Sequence, residues 1–242
     1  MGYRLIVTAY NLAWLFYNIH LYGAKLFIYL TNWTYTILNI YFVYATTLSC
    51  IALYKDLEKP SETPLVADEQ AAEIEMGSSN YGAVDEDRED ASEKDVLQCH
   101  HKFLWFIHVI AATAGLLVTA TYWSVLASDD PVDANTVTKH ALNSVFMVVD
   151  TSVSAIPVRL LHSLYVVLYM LIYLAFSIIY WLLGGTNNQG NSYIYKNLDY
   201  DNFKSINGGL MVFFLLVVLP FIHLILFSIV KLRDHLYTKY KA

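Results

Sequence analysis

Three polar side chains set inside apolar stretches have chemistry to offer in this sequence: Thr31, His140 and Asn143. A threonine hydroxyl is a poor nucleophile until a base takes its proton. A histidine at a water–lipid boundary is a suitable base. Asn143, one helical turn beyond His140, would orient a substrate carbonyl or stabilise an oxyanion. The same residues also have a purely structural reading, in which Thr31 bonds carbonyls of its own helix and His140 caps an interface. Asn32 joins the polar set, and N-W-T at 32–34 reads as a glycosylation sequon placed inside hydrocarbon, where it would go unused. Asp150 lies ten residues past His140, about 15 Å deeper at 1.5 Å per residue. A carboxylate there costs about 2.5 to 3.5 kcal/mol on insertion scales, so it needs a partner on a neighbouring helix or a place in an ion path. Steps of three and four from His140 reach Asn143, Met147, Asp150 or Thr151, and Ser154, a polar stripe on one helical face.

The elements that position these residues are membrane spans. The chain has 242 residues, 57% of them hydrophobic, in blocks too long and continuous for a soluble core. Six segments of roughly 17 to 28 residues qualify, against about 20 needed to cross the hydrocarbon. They are Tyr3 to Ile19, Leu26 to Leu53, Phe103 to Leu126, His140 to Ile156, Leu160 to Leu183, and Leu210 to Val230. The first is not a secretory leader, because it carries Asn11, Asn18 and large aromatics and lacks a small-residue cleavage site. The expected fold is therefore all-α, an integral membrane bundle of six transmembrane helices. Placing both termini in the cytoplasm puts eleven of the 15 basic residues inside, so the bundle reads N-in and C-in. Thr31 and His140 then share one depth near the outer face. Cys50 and Cys99 fall at the cytoplasmic face, where a disulfide is not expected. The chain divides into helices one and two (1–54), an acidic cytoplasmic loop (55–102), helices three to six (103–230) and a basic cytoplasmic tail (231–242).

The loop from Lys55 to Lys102 holds fourteen acids and five bases, so it more than accounts for the formal charge of −6. Its stretch from Glu58 to Gln98 has the composition of a disordered segment, either a solvated linker or a docking region with Ser61 and Ser92 as phosphorylation sites. Negative charge and the lack of a basic stripe exclude nucleic acid as a partner. The tail from Lys231 to Ala242 continues the last helix and suits anionic lipid. Twenty tyrosines include a stripe at Tyr165, Tyr169, Tyr173, Phe176 and Tyr180 and another at Tyr3, Tyr10 and Tyr17, spaced for helix packing. His108, His162 and His223 lie toward one face and His20 and His140 toward the other, so they do not pair for haem. No phosphate loop, G-x-S-x-G or zinc spacing occurs, and no cofactor is implied. Ion transport through Asp150 and Arg159 is disfavoured, since the nine-residue separation puts Arg159 at the inner end. Membrane lipids, including a lipid ester ligand, are the expected partners.

Three stretches carry a family resemblance. They are Y-L-T-N-W at 29–33, H-A-L-N-S at 140–144 running through Asp150 to P-V-R-L-L-H at 157–162, and G-G-T-N at 184–187 followed by Y-I-Y at 193–195 and L-D-Y at 198–200. Together they resemble the rolling stone family of multi-pass membrane proteins, a resemblance that implies a role in myoblast-type cell fusion or in binding a membrane lipid at the plasma membrane. More distantly the chain is similar to the androgen-induced membrane hydrolases, which implies cleavage of fatty acid esters of hydroxy fatty acids with Thr31 as nucleophile. That family's asparagine-histidine-x-x-histidine-threonine pattern falls on Lys139, His140, Asn143 and Ser144. Its catalytic histidine is the second, here Asn143, and an amide cannot act as a general base; His140 would have to take the role. Lys196 also departs from the proline expected after the tyrosine.

Overall fold

The computed structural model describes residues 2–58, 99–127, 132–202 and 205–241, which form helices and the loops that join them, with no strand among them. The acidic stretch expected to be disordered, with Ser61 and Ser92, lies outside the described residues. Helix α1 is Gly2–Tyr22 and α2 is Leu30–Glu58. Helix α3 is Cys99–Thr121, prolonged by a π-helical turn at Tyr122–Leu126. Helix α4 runs over 134–153 through a π turn at Thr138–Leu142. Helix α5 is Ser163–Leu182, and α6 covers 205–241 with a π turn at Phe214–Val218.

Helix α3 is the centre, packed on α2, α4, α5 and α6. Ala111, Ala112 and Ala114 are fully buried along it, and such small residues let helices approach closely where no hydrophobic effect drives them together. Among the described residues, four helical stretches are long and apolar enough to cross a membrane: Leu30–Glu58, Cys99–Val125, Leu160–Leu182 and Ser205–Tyr240. Helices α1 and α4 carry the polar residues instead, Arg4, Asn11 and Asn18 on one and Lys139, Asn143 and Asp150 on the other.

Several helices outrun the expected spans, α2 reaching Glu58 and α3 starting at Cys99, and three other boundaries differ for a visible reason. The second segment does not become α-helical at Leu26: Gly23–Ile28 forms a 3-10 turn and Tyr29 is extended. The Asn32 amide donates to Leu26 O at 2.9 Å and the Trp33 indole to Phe27 O at 2.6 Å, so the start of α2 holds that turn in place. Helix α4 begins before His140, because Asp133 caps it by accepting from the Thr136 N–H at 2.7 Å. That bond also holds the Asp133 carboxyl below its usual range. Helix α4 stops at Val153, short of Ile156, with Ser154 extended. There Arg233 of α6 donates to the carbonyls of Thr151, at 3.0 Å, Ser154 and Ile156, at 3.2 Å, and so satisfies the end of another helix. Helix α5 closes through Gly184, at φ +74°, whose N–H donates to Trp181 O; only glycine adopts that backbone without strain.

The polar stripe of α4 faces inward as its spacing predicts: Asn143, Met147, Asp150 and Thr151 are buried. Asp150 is fully buried, and its partner is Arg4, a residue that basic-flank reasoning leaves in the cytoplasm. Arg4 Nε donates to one carboxylate oxygen at 2.7 Å and Nη2 to the other at 3.1 Å, a bidentate pair. The Tyr41 hydroxyl of α2 donates to the same carboxylate. Arg159, the other cation weighed for Asp150, instead offers its backbone carbonyl to His223 at 2.9 Å. Replacing Asp150 by Asn leaves the Arg4 guanidinium without a counter-charge, and a loss of about 3 kcal/mol is expected in thermal unfolding of the detergent-solubilised protein. Pairing Asp150→Leu with Arg4→Met should recover most of it, and a double variant no more stable than the single would contradict this account.

Candidate functional site

At the end of the bundle away from the termini, a cavity of about 430 Å³ lies among α2, α3, α4, α5, α6 and the loop after α5. Its walls are Leu117, Val118, Met170, Leu174, Met211 and Leu215, with their neighbours, and its polar groups are Thr31, Thr121, Tyr122, His140, Tyr173, Tyr195, Asn197 and Asn207. No Lys, Arg, Asp or Glu is among the described residues that line it. All three π turns reach it, supplying Tyr122 and Val125, His140, and Phe214 and Leu215. A π turn shifts the register of the side chains that follow it, and such turns recur at functional sites. The His140 ring stacks on Tyr122 with centroids 3.7 Å apart and 12° from parallel, while the His140 carbonyl accepts from the Trp123 indole at 2.8 Å. Its Nδ1 is buried and has no hydrogen-bond partner among the described residues.

The loop after α5 closes the top. Tyr195 packs edge-on against Tyr29, and its phenol interacts with Thr31 and Tyr173. Burial pushes the Tyr195 phenol above its usual value, so it stays a hydrogen-bond donor at neutral pH. Lys25, just past α1, holds the loop from outside by donating to Thr186 Oγ1 at 3.3 Å and Asn187 O at 3.0 Å. The tyrosine stripe of α5 packs as its spacing predicts. Tyr169 bonds Thr34 at 2.9 Å, Tyr173 donates to Ile28 O at 2.9 Å, and Trp33 sits against Tyr173 and Phe176.

Of the residues singled out from sequence, Thr31 and His140 line this one cavity. Asn143 does not: buried against α3, it accepts from Thr119 Oγ1 at 3.1 Å. Asn32 is occupied with Leu26 O, and Asp150 sits with Arg4 toward the other end. Tyr195 and Tyr122 were not legible as site residues, although Tyr195 stands in the Y-I-Y run of the outer loop.

An all-helical membrane protein with a mostly apolar cavity that carries a few uncharged polar groups is the class this fold and site define. The family model of protein rolling stone matches residues 2–241, and the chain belongs to that family. It is similar to "Protein rolling stone" of Drosophila melanogaster, 31% identical over 136 residues, which is 54% of this chain. The matched stretch spans about half of that relative, 49% of its length. No solved structure matches.

Because Asn143 holds α4 to α3 rather than facing the cavity, Asn143→Ala should cost about 1 kcal/mol of stability and leave lipid occupancy of the cavity unchanged. Native mass spectrometry of the detergent-solubilised variant beside a thermal melt separates the two effects, and lost occupancy at unchanged stability would place Asn143 in the site instead.

Proposed function

We propose that this rolling stone family member binds a membrane lipid in the cavity at Thr31 and His140. One observation carries the reading: the cavity lining is mostly apolar and carries a small set of uncharged hydrogen-bonding groups, the pattern of a site for an amphipathic ligand. The accompanying topology has six crossings with both termini cytoplasmic. It is supported by the length of α1 and of the continuous helix 134–153, each about 30 Å at 1.5 Å per residue, and by the neutralisation of Arg4 and Asp150 within the bundle. The cavity then opens in the outer leaflet. At the plasma membrane such a site would serve cell–cell fusion by holding a lipid at the contacting surface.

A second reading is favoured by Thr31 and His140 both lining one cavity. Here His140 takes the Thr31 proton, Thr31 attacks the carbonyl of a bound lipid ester, and Tyr195, beside Thr31, donates to the developing oxyanion in the place first given to Asn143. The product alcohol leaves with the proton from His140, and water releases the acyl group.

Retention of lipid through detergent purification, read by native mass spectrometry, tests the first reading. Wild type should carry lipid and Leu174→Trp, which fills the cavity, should lose at least tenfold; equal occupancy in the two would exclude the cavity. A fluorophosphonate probe tests the second. Labelling of wild type that disappears in Thr31→Ala and His140→Ala makes the protein an ester hydrolase, whereas wild type that folds, retains lipid and stays unlabelled makes it a binding protein alone.

A further inference from the structure

We infer that the ligand of this cavity is an uncharged lipid with one long apolar body, and that it enters sideways from the bilayer past the first part of α6. The inference rests on the lipid-site reading and adds to it the chemical class of the ligand and its route.

The class follows from what the lining lacks. With no cationic or anionic side chain among the described residues that line it, a phosphate or carboxylate head seated in the cavity would be stripped of water and meet no counter-charge from them. Of the nearby bases among the described residues, Lys196 is exposed to solvent and two others are committed elsewhere. Lys139, adjacent to His140, is buried with its ammonium 5.6 Å from the centre of the Tyr22 ring, and Lys25 is bonded to the loop. What the lining does offer is neutral: the Thr31 and Tyr195 hydroxyls and the His140 imidazole. Those groups match a hydroxyl or an ester carbonyl.

The route follows from how α6 is built. Over 205–218 it contributes no buried residue, although Leu210, Met211, Phe214 and Leu215 line the cavity. From Leu219 onward Leu219, Ile222, His223, Leu226 and Val230 are buried in the bundle. The two halves meet at the π turn Phe214–Val218 and at Pro220, which has no N–H to give the Leu216 carbonyl. A helix anchored below that point and unpacked above it can pivot there. Leu171 of α5 and Leu210 and Val212 of α6 flank the opening with their side chains exposed, so it faces acyl chains rather than water.

The test uses the full chain in lipid nanodiscs with a photoactivatable, clickable alkylglycerol and an alkyl phosphate of the same chain. The alkylglycerol should label peptides from α3, α5 and α6, and unlabelled alkylglycerol should compete at least tenfold better than unlabelled alkyl phosphate. Equal or better competition by the phosphate overturns the uncharged class while leaving a lipid site in place. Absence of saturable labelling by either probe overturns the lipid site itself, and this inference with it. For the route, Leu174→Cys and Met211→Cys are joined by a reducible thiol crosslinker in a background with Cys50 and Cys99 replaced by Ala. Labelling should fall at least fivefold and return on reduction; labelling unaffected by the crosslink overturns entry past α6.

Discussion

A carboxylate with no exposure to solvent, inside a bundle whose outer surface is apolar, constrains much of the rest of this structure. Hydrocarbon offers no water to an unpaired group, so every buried donor and acceptor must find its partner within the protein. For Asp150 the partners come from two other helices, Arg4 on α1 and Tyr41 on α2. That single group therefore ties α1, α2 and α4 together at one depth. Arg233 does comparable service a few residues on, where its guanidinium takes up the carbonyls at the end of α4. With this end fixed by charge, the opposite end of the bundle is free to be shaped by neutral groups around a cavity.

The histidines fit the same constraint. His108 meets Thr151 at 3.1 Å, and His223 lies between Thr113 and the Arg159 carbonyl. Each joins two helices, a use of polar side chains between membrane helices that favours specificity of packing over raw stability. Asn11 and Asn18 act more locally, each donating to the carbonyl four residues before it, and Tyr35 then bonds the Asn11 side chain from α2.

Much of this was legible in the sequence because hydrophobic length and helical spacing are strong signals. The inward stripe of α4, the helical tail and the tyrosine stripe on α5 could be read in advance. That Thr31 and His140 line one cavity agrees with the expectation that their segments share a depth. Arg4 was misread for a physical reason: a cation near the start of an apolar segment looks like a membrane-flank charge, and only the third dimension reveals a carboxylate 146 positions away. Asn143 was misplaced because a step of three along a helix keeps residues on one broad face, while the π turn ending at Leu142 rotates it off His140. No residue type announces such a turn. Tyr195 escaped notice because loop side chains have no periodicity to reveal where they point.

Those turns also bear on how the cavity could have been remodelled over time. Each holds one more residue than a regular helical turn, so losing a single residue anywhere within 122–126, 138–142 or 214–218 would return that helix to ordinary register. The part beyond it would keep its facing, because the turn had absorbed the extra residue, while the side chains of the turn that line the cavity would be re-aimed. Single-residue gaps at these three places in relatives would therefore mark members whose cavity has a different wall, even where the flanking sequence is unchanged.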